Sequence, residues 1–437
     1  MVAKLRTALG QIHFRLYGAL LLLGLVPTVY TAVRIFFLGQ LPDPWAFSIA
    51  GQLTWVNLLY EILNEAMILP LFYFMGQAKA DPKVFGQRVS TGLLICLTAC
   101  GTLSAVVFAG AETLLGWMAA DSSILAQSAS YIRIESIAHI FSMLLQFTLV
   151  ALVTLGKSRC LYILTGAKLL LCILFDAFLV SDLPLSAELG VDGIGYSNLL
   201  VNALLLGCSL CLLSREGIRL FAGQDFSWAA AWARSGALSG LESLVRNLAY
   251  MVMIARMVNV VGEQGTYWVA NNFIWGWLLL PILQLGELIK QEIAADRDRL
   301  RRNSLGYFAV TGGILLLWLI SIPLWRPFMT HVLGLNDVDQ LMKLVLLLSG
   351  FYCLYSIQNV CDATFYGLGK IHYMLWESVI TNAIYYGTAF ALYRTGLWIP
   401  TLEGIAWLFG LGMAFDSVVS LLVYRHLLRK EGIRLMD

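Results

Sequence analysis

The sequence predicts an all-α integral membrane protein with twelve transmembrane helices, arranged as two copies of a six-helix unit. Three observations predict this fold class: the composition, the number of long apolar stretches and an internal repeat. Hydrophobic residues make up 59% of the 437 residues, and charged residues only 13%. A chain of this composition is typical of a protein surrounded by lipid rather than by water.

Twelve apolar stretches reach the length of about 20 residues that a helix needs to cross the hydrocarbon core. Several exceed this minimum, so tilted or extended helices are expected. The stretches are 14–38, 45–75, 88–111, 122–155, 160–182, 190–213, 230–262, 267–291, 304–329, 338–368, 372–395 and 402–428.

Short motifs recur in the same order about 215 residues later, which indicates that one unit was duplicated. They are EGIRL (216–220 and 431–435), LGK (155–157 and 368–370), and DGI at 192–194, matched by EGI at 403–405. Six helices fall in each copy, and an even number leaves both copies in the same orientation, as parallel repeats. The predicted division is an N-terminal lobe (1–213), a cytoplasmic linker (214–229) and a C-terminal lobe (230–437).

Basic residues fall mainly on one side of the predicted helices, and this side is cytoplasmic by the positive-inside rule. Both termini are then cytoplasmic, and we expect a multi-pass protein of the plasma (inner) membrane, of bacterial origin. The basic loop around 297–302 belongs to this asymmetry, so nucleic acid is not an expected partner.

The sequence contains no pattern that favours an enzyme or a metal site. Cys208 and Cys211 form a closely spaced pair but lack partner ligands, so packing explains the cysteines better than zinc or redox chemistry. Asp296 and Asp298 are the nearest approach to paired metal-binding aspartates, and the neighbouring arginines would neutralise them. We expect no enzyme activity and no cofactor.

Several segments resemble the multidrug and toxic compound extrusion (MATE) family. They are 33–41 at the end of helix 1, 131–134 and 155–157 in helix 4, 190–195 in helix 6, and 239–243 in helix 7. The resemblance implies a V-shaped bundle whose two lobes open alternately inward and outward. It implies an antiporter that exports organic, often cationic, solutes or drugs on a proton or sodium gradient.

A second function stays open, because related branches of the wider superfamily flip lipid-linked sugars. Arginines predicted within the membrane (Arg34, Arg246 and Arg256) would suit a flippase or a dedicated exporter of a lipid-linked or anionic substrate. In either case the expected partners are a small organic solute and membrane lipid, and the expected state is a monomer.

Asp176 in helix 5 is the first candidate for ion coupling. It matches an acidic position that the resemblance places in the ion site of the first lobe. Apolar surroundings favour the neutral form of a carboxylate, so Asp176 could load a proton and release it when the site hydrates. A structural, hydrogen-bonded role is the alternative.

Three positions depart from the pattern that the resemblance implies for this site. Arg34 stands where the family usually has Asp, Cys172 where Asn is common, and Asn198 where Thr is frequent. We hypothesise that Arg34 pairs with Asp176 and supplies the positive charge of a bound cation. Such a pair would oppose the use of Asp176 as a proton carrier. The alternative is that Arg34 extends to the outer headgroups.

Two further sets of charges are candidates for binding a proton or a cationic substrate. Glu61 and Glu65 share one face of helix 2, unless Glu61 bonds Asn57 or Asn64 instead. Glu242 is the candidate in helix 7, where Arg246 four residues later could make it structural. Lesser candidates are Asp362, Glu377 and Asp416, and a gate or local pair is expected from Arg133, Glu135 and His139.

Overall fold

The computed structural model describes residues 8–218, 223–336 and 338–430. Within these ranges the secondary structure is helical, without strands. Each predicted apolar stretch forms one helix or a series of consecutive helical segments, which we number α1 to α12 in chain order. The uninterrupted helices are α1 (Phe14–Gln40), α3 (Pro82–Trp117), α4 (Leu125–Thr154), α5 (Ser158–Leu179), α6 (Gly190–Arg215), α9 (Arg299–His331), α10 (Asp339–Gly367) and α12 (Leu402–Lys430).

The other four helices are interrupted, three of them by π-helical turns, where an extra residue widens the helix. α2 comprises Ala46–Met67 and Leu71–Ala78. The remaining three are α7 (Ala229–Ala249, the π segment Tyr250–Ala255, and Arg256–Val260), α8 (Gln264–Phe273, the π segment Ile274–Leu278, and Leu280–Ala295) and α11 (Ile371–Ile380, the π segment Thr381–Tyr386, and Gly387–Arg394). Within α8, the helix axis bends by 53° between Gln264–Leu278 and Leu280–Ala295.

The apolar count underestimates the length of α3, which was predicted over 88–111. The helix begins at Pro82 because Asp81 caps it, accepting a hydrogen bond from the Lys83 amide at 2.8 Å. Proline is favoured in the first turn, where its missing N–H costs no hydrogen bond. Polar residues beyond the hydrocarbon core therefore extend the helix past the stretch that hydropathy detects.

Nine helices in the described part of the chain are long and apolar enough to cross a membrane, and α8 makes ten if its bent halves count as one span. The remaining two are α7 and α11. The first segment of α7 carries Arg234, Glu242 and Arg246, and α11 is divided into segments of ten residues or fewer. The protein is a multi-pass membrane protein.

Both copies of the LGK motif form the same turn at the end of a helix. Gly156 and Gly369 have φ values of +85° and +68°, a conformation in which a side chain would be strained. The amides of Lys157 and Lys370 then bond the carbonyls of Leu152 and Phe365 at 3.0 and 2.8 Å. The repeated sequence motif therefore forms the same local structure in both copies. Residues 219–220 and 431–435 of the EGIRL repeat lie outside the described ranges.

By packing, the chain divides into two compact units: Ala32–Asn247 forms one, and Met1–Thr31 with Leu248–Asp437 forms the other. The core of the first unit contains the buried rings of Trp55, Phe85 and Phe147; that of the second contains Tyr307, Tyr352 and Phe365. The predicted lobe boundaries follow the sequence repeat rather than packing, and they stay a prediction.

Two glycines one turn apart allow α7 to approach α2 closely within the first unit. A Cβ atom on Gly236 would lie 1.9 Å from the carbonyl oxygen of Ala66, and one on Gly240 would lie 2.9 Å from the Ala66 Cβ. Glycines at this spacing let helix backbones meet in membranes. The Trp232 indole N–H also donates to the Met67 carbonyl at 2.9 Å. This approach brings the charged part of α7 to the acidic face of α2.

Candidate functional site

A buried ion pair links α1 to α5 within the first unit. The Arg34 Nε donates to Asp176 Oδ2 at 2.6 Å, and its Nη2 lies 3.4 Å from Oδ1. Arg34 is 8% exposed and Asp176 is fully buried. A guanidinium bound to both oxygens of a carboxylate is a strong, oriented pair. The predicted contact is therefore present, and Arg34 does not extend to the headgroups.

Asn198 on α6 connects this pair to a second carboxylate. Its Oδ1 accepts from Arg34 Nη2 at 2.7 Å, and its Nδ2 donates to Glu135 Oε1 at 2.6 Å. Glu135 on α4 is 3% exposed. The amide thus uses both ends to join a cation to an anion. Glu135, for which a gate or local pair with Arg133 and His139 is expected, is hydrogen-bonded to Asn198 and so joins the network of Arg34, Asp176 and Asn198.

One face of α5 carries three polar side chains, of which Asp176 belongs to this network. Lys168, Cys172 and Asp176 follow one another at four-residue spacing, which places them on one side of a helix. Cys172 is fully buried. Lys168 interacts electrostatically with Arg34 and Glu135. The sequence reasoning missed Lys168, although its spacing from Cys172 and Asp176 was the signal that could have found it.

A second cluster, on α2 and α7, surrounds the Arg246 guanidinium with three carboxylates. Arg246 lies 2.8 Å from Glu65, 3.2 Å from Glu242 and 3.7 Å from Glu61. The Glu242 side chain is 1% exposed, whereas Glu61 is 47% and Glu65 24% exposed. The cluster therefore has a buried acidic side and an accessible acidic side.

The asparagines proposed as alternative partners of Glu61 have other contacts. Asn57 Oδ1 lies 3.0 Å from His139 Nε2, and Asn64 Nδ2 donates to Gln146 Oε1 at 2.7 Å. The ring of His139 also stacks on Tyr60 at 3.9 Å. These contacts hold α2 against α4, so the asparagines serve helix packing, and Glu61 lies beside Arg246.

Other charged residues form ion pairs outside these two clusters. Arg133 donates to Glu112 on α3 at 2.9 Å. The gate or local pair expected from Arg133, Glu135 and His139 stays a prediction. On α8, Lys290 lies 2.6 Å from Glu287. The cysteines are free thiols, and Cys96, Cys100, Cys172 and Cys361 are buried.

The fold and these clusters define a class: a helical, multi-pass membrane protein with an internal repeat and buried charge networks between its helices. No known family profile and no curated protein matches the sequence. Solved structures, however, match over nearly its whole length.

Three of these structures illustrate the likeness. One is an inward-facing multidrug resistance MATE family transporter of the MOP superfamily (TM-score 0.76, 16% identity, 93% of this chain and 95% of that one). Another is an outward-facing MATE transporter of that superfamily (TM-score 0.65, 16% identity, 95% of each chain). The third is a MOP superfamily transporter from Pyrococcus furiosus (TM-score 0.67, 18% identity, 97% of each chain), for which reverse polarity of the binding pocket is said to suggest a different function.

The chain therefore has the fold of MATE transporters of the MOP superfamily. This confirms the fold class that the helix count, the repeat and the motif resemblance predicted.

Proposed function

We propose that the protein is a secondary active transporter that exports organic solutes, often cationic, by alternating access. The gradient of a proton or a sodium ion would drive export across a bacterial plasma membrane. The observation that supports this most strongly is the full-length likeness in fold to MATE transporters solved facing inward and facing outward. Charged networks buried among the helices support it further, because charges at membrane depth are costly and usually serve function.

In this proposal the network of Arg34 does not bind a mobile coupling ion. The guanidinium already lies where Asp176 and Asn198 direct three oxygens towards one cationic group, at 2.6 to 3.4 Å. The free-energy cost of removing two charges from water is offset only when the charges are paired and hydrogen-bonded. Arg34 would therefore act as a tethered cation that holds α1, α5 and α6 together.

In this proposal, the cluster around Arg246 binds the substrate. Three carboxylates share one guanidinium, and two of them, Glu61 and Glu65, are partly exposed. A group of accessible acids attracts a cationic solute and stabilises it once bound. This favours organic cations over anions as the exported class.

The alternative is export or flipping of an anionic or lipid-linked substrate. Lys168 favours it, because it places a second cationic group near Arg34. The reverse polarity described for the Pyrococcus furiosus protein would offer a parallel. The acids around Arg246 weigh against this alternative.

The test is accumulation of a panel of fluorescent organic cations, and of fluorescent organic anions, in pump-deficient bacteria. Cells would express wild type, Glu61→Gln, Glu65→Gln or the control Glu287→Gln at matched membrane levels. We expect cells with wild type or Glu287→Gln to retain less cationic dye than cells that do not express the protein. Cells with Glu61→Gln or Glu65→Gln should retain as much dye as cells without the protein. Wild type that leaves cationic dye unchanged and lowers only anionic dye would support the alternative.

A further inference from the structure

A third cluster, in the second compact unit, gathers carboxylates from three helices around one amide. The Gln358 Nε2 on α10 lies 2.7 Å from Asp416 Oδ2 on α12, 2.9 Å from Glu377 Oε1 on α11 and 3.3 Å from Asp362 Oδ2. The Ser417 hydroxyl donates to Gln358 Oε1 at 2.9 Å. That bond fixes the orientation of the amide, so its N–H groups face the acids.

The acids around Gln358 outnumber the protons that the amide offers. A primary amide has two N–H donors, and three carboxylate oxygens surround this one. Hydroxyl groups also donate to these acids: Thr381 donates to Asp416 Oδ1 at 2.6 Å, and Ser420 to Asp362 Oδ1 at 2.9 Å. Among the described residues, Glu377 Oε2 is buried and has no hydrogen-bond partner, and Glu377 is only 3% exposed.

Glu292 on α8 shows what a structural buried carboxylate looks like in the same unit. It is also 3% exposed. It accepts hydrogen bonds from the His13 amide and the Tyr307 hydroxyl, and it lies 3.1 Å from Arg299. A buried carboxylate oxygen that accepts no hydrogen bond, such as Glu377 Oε2, is costly, whereas one that accepts hydrogen bonds is stabilised. Glu377 thus differs from Glu292 in its partners rather than in its depth.

The charged neighbours of Glu377 are acidic: it interacts electrostatically with Asp362 and Asp416. Other titratable groups facing the cluster are Cys361 from α10 and Tyr386 from α11. Carboxylates this close cannot all ionise at low cost, because each negative charge disfavours the others. The Gln358 amide nitrogen occupies the centre, so a proton fits this cluster better than a metal ion does.

We propose that Glu377, Asp362 and Asp416 form a proton-binding site that holds at least one proton at neutral pH and exchanges it during export. The bound proton is a property of the site alone. Its exchange during export rests on the proposed function and makes the proton the coupling ion. Asp362 lies five residues before the end of α10 and Glu377 six residues after the start of α11. The predicted topology puts this end of the helices near the cytoplasm.

The site can be tested without a substrate, by infrared spectroscopy of the purified protein. Protonated carboxyl groups have a C=O stretching band that ionised ones lack. We expect this band in wild type and in Glu287→Gln at neutral pH, and its loss or shift in Glu377→Gln. Glutamine keeps the shape of a protonated glutamate, so this variant is expected to fold. If it does not fold, Asp416→Asn is used, which also shifts the band when the groups are coupled. A band that is absent from wild type, or identical in the folded variants, would overturn the site.

Exchange of the proton is tested in vesicles by export of a cationic dye under an imposed pH gradient. We expect export by wild type and Glu287→Gln, and export at the level of empty vesicles for Glu377→Gln. Undiminished pH-driven export by Glu377→Gln, or export that follows only a sodium gradient, would overturn the coupling role. Wild type that exports no cationic dye would contradict the proposed function, while the infrared result would still decide whether the proton site exists.

Discussion

At the scale of single residues, Arg34 and Asp176 form a pair in which each charge depends on the other. Both are buried, and they share hydrogen bonds at 2.6 and 3.4 Å. Removing one member of a buried pair leaves an unpaired charge, whereas neutralising both removes the problem.

The first prediction is a non-additive loss of stability. Asp176→Asn or Arg34→Gln should each destabilise the protein by about 3–5 kcal/mol, and the double variant by much less than the sum. Thermal unfolding in detergent would measure this. The control is Asp339→Asn, which breaks the exposed pair with Arg326 and should leave the midpoint unchanged. Additive losses in the double variant would mean that the pair is not coupled.

The second prediction concerns the tethered charge. Arg34→Asp replaces the fixed cation with a second carboxylate, so the site should then need a mobile cation. Dye export by this variant should respond to sodium and proton gradients differently from wild type, as measured in vesicles with either gradient imposed. Arg326→Asp, at an exposed pair, is the matched charge reversal. If export by Arg34→Asp and by wild type depends on the two ions in the same way, Arg34 does not act as a tethered cation.

At the scale of helices, the contact of α7 with α2 positions the acidic cluster. Gly236 lies so close to the Ala66 carbonyl that an added Cβ would be 1.9 Å away. Because the obstructing atom belongs to the backbone, no side-chain rotation can relieve the clash. The distance between Arg246 and Glu65 therefore depends on a glycine about three turns earlier.

The third prediction follows from this packing. Gly236→Ala should destabilise the protein by about 1–3 kcal/mol through overpacking, and it should weaken dye export by moving Arg246 away from Glu65. Gly313→Ala on α9 is the control, because a Cβ there meets nothing within 4 Å. Unfolding midpoints and dye accumulation would be compared at equal expression. If both variants behave like wild type, α7 can shift without cost.

At the scale of the whole molecule, the distribution of basic residues predicts that both termini are cytoplasmic. A fluorescent protein that matures only in the cytoplasm, fused to either terminus, should therefore fluoresce in bacteria. Alkaline phosphatase inserted in the α9–α10 loop should be active, and insertion after Glu216 should give an inactive enzyme. Active phosphatase at Glu216 would reverse the proposed orientation.

Much of the fold could be predicted because its signals are local. A stretch of about 20 apolar residues specifies a membrane helix whatever its neighbours are, and the LGK turns at Gly156 and Gly369 are fixed by a few consecutive residues. The pair of Arg34 with Asp176 was also predictable, because an arginine buried at this depth needs a carboxylate. Lys168 was missed, although four-residue spacing marks it.

The sequence by itself determined the class of protein, its twelve helices and their repeat, because the cost of placing polar backbone in lipid leaves few alternatives. Only the tertiary structure decided which charges meet. Asn198 contacts Arg34, 164 residues earlier in the chain, and Glu135, 63 residues earlier. Gln358 contacts Glu377, 19 residues later, and Asp416, 58 residues later. Such contacts depend on which helix faces turn towards each other, and this is set by close packing at small residues such as Gly236, which hydropathy does not record.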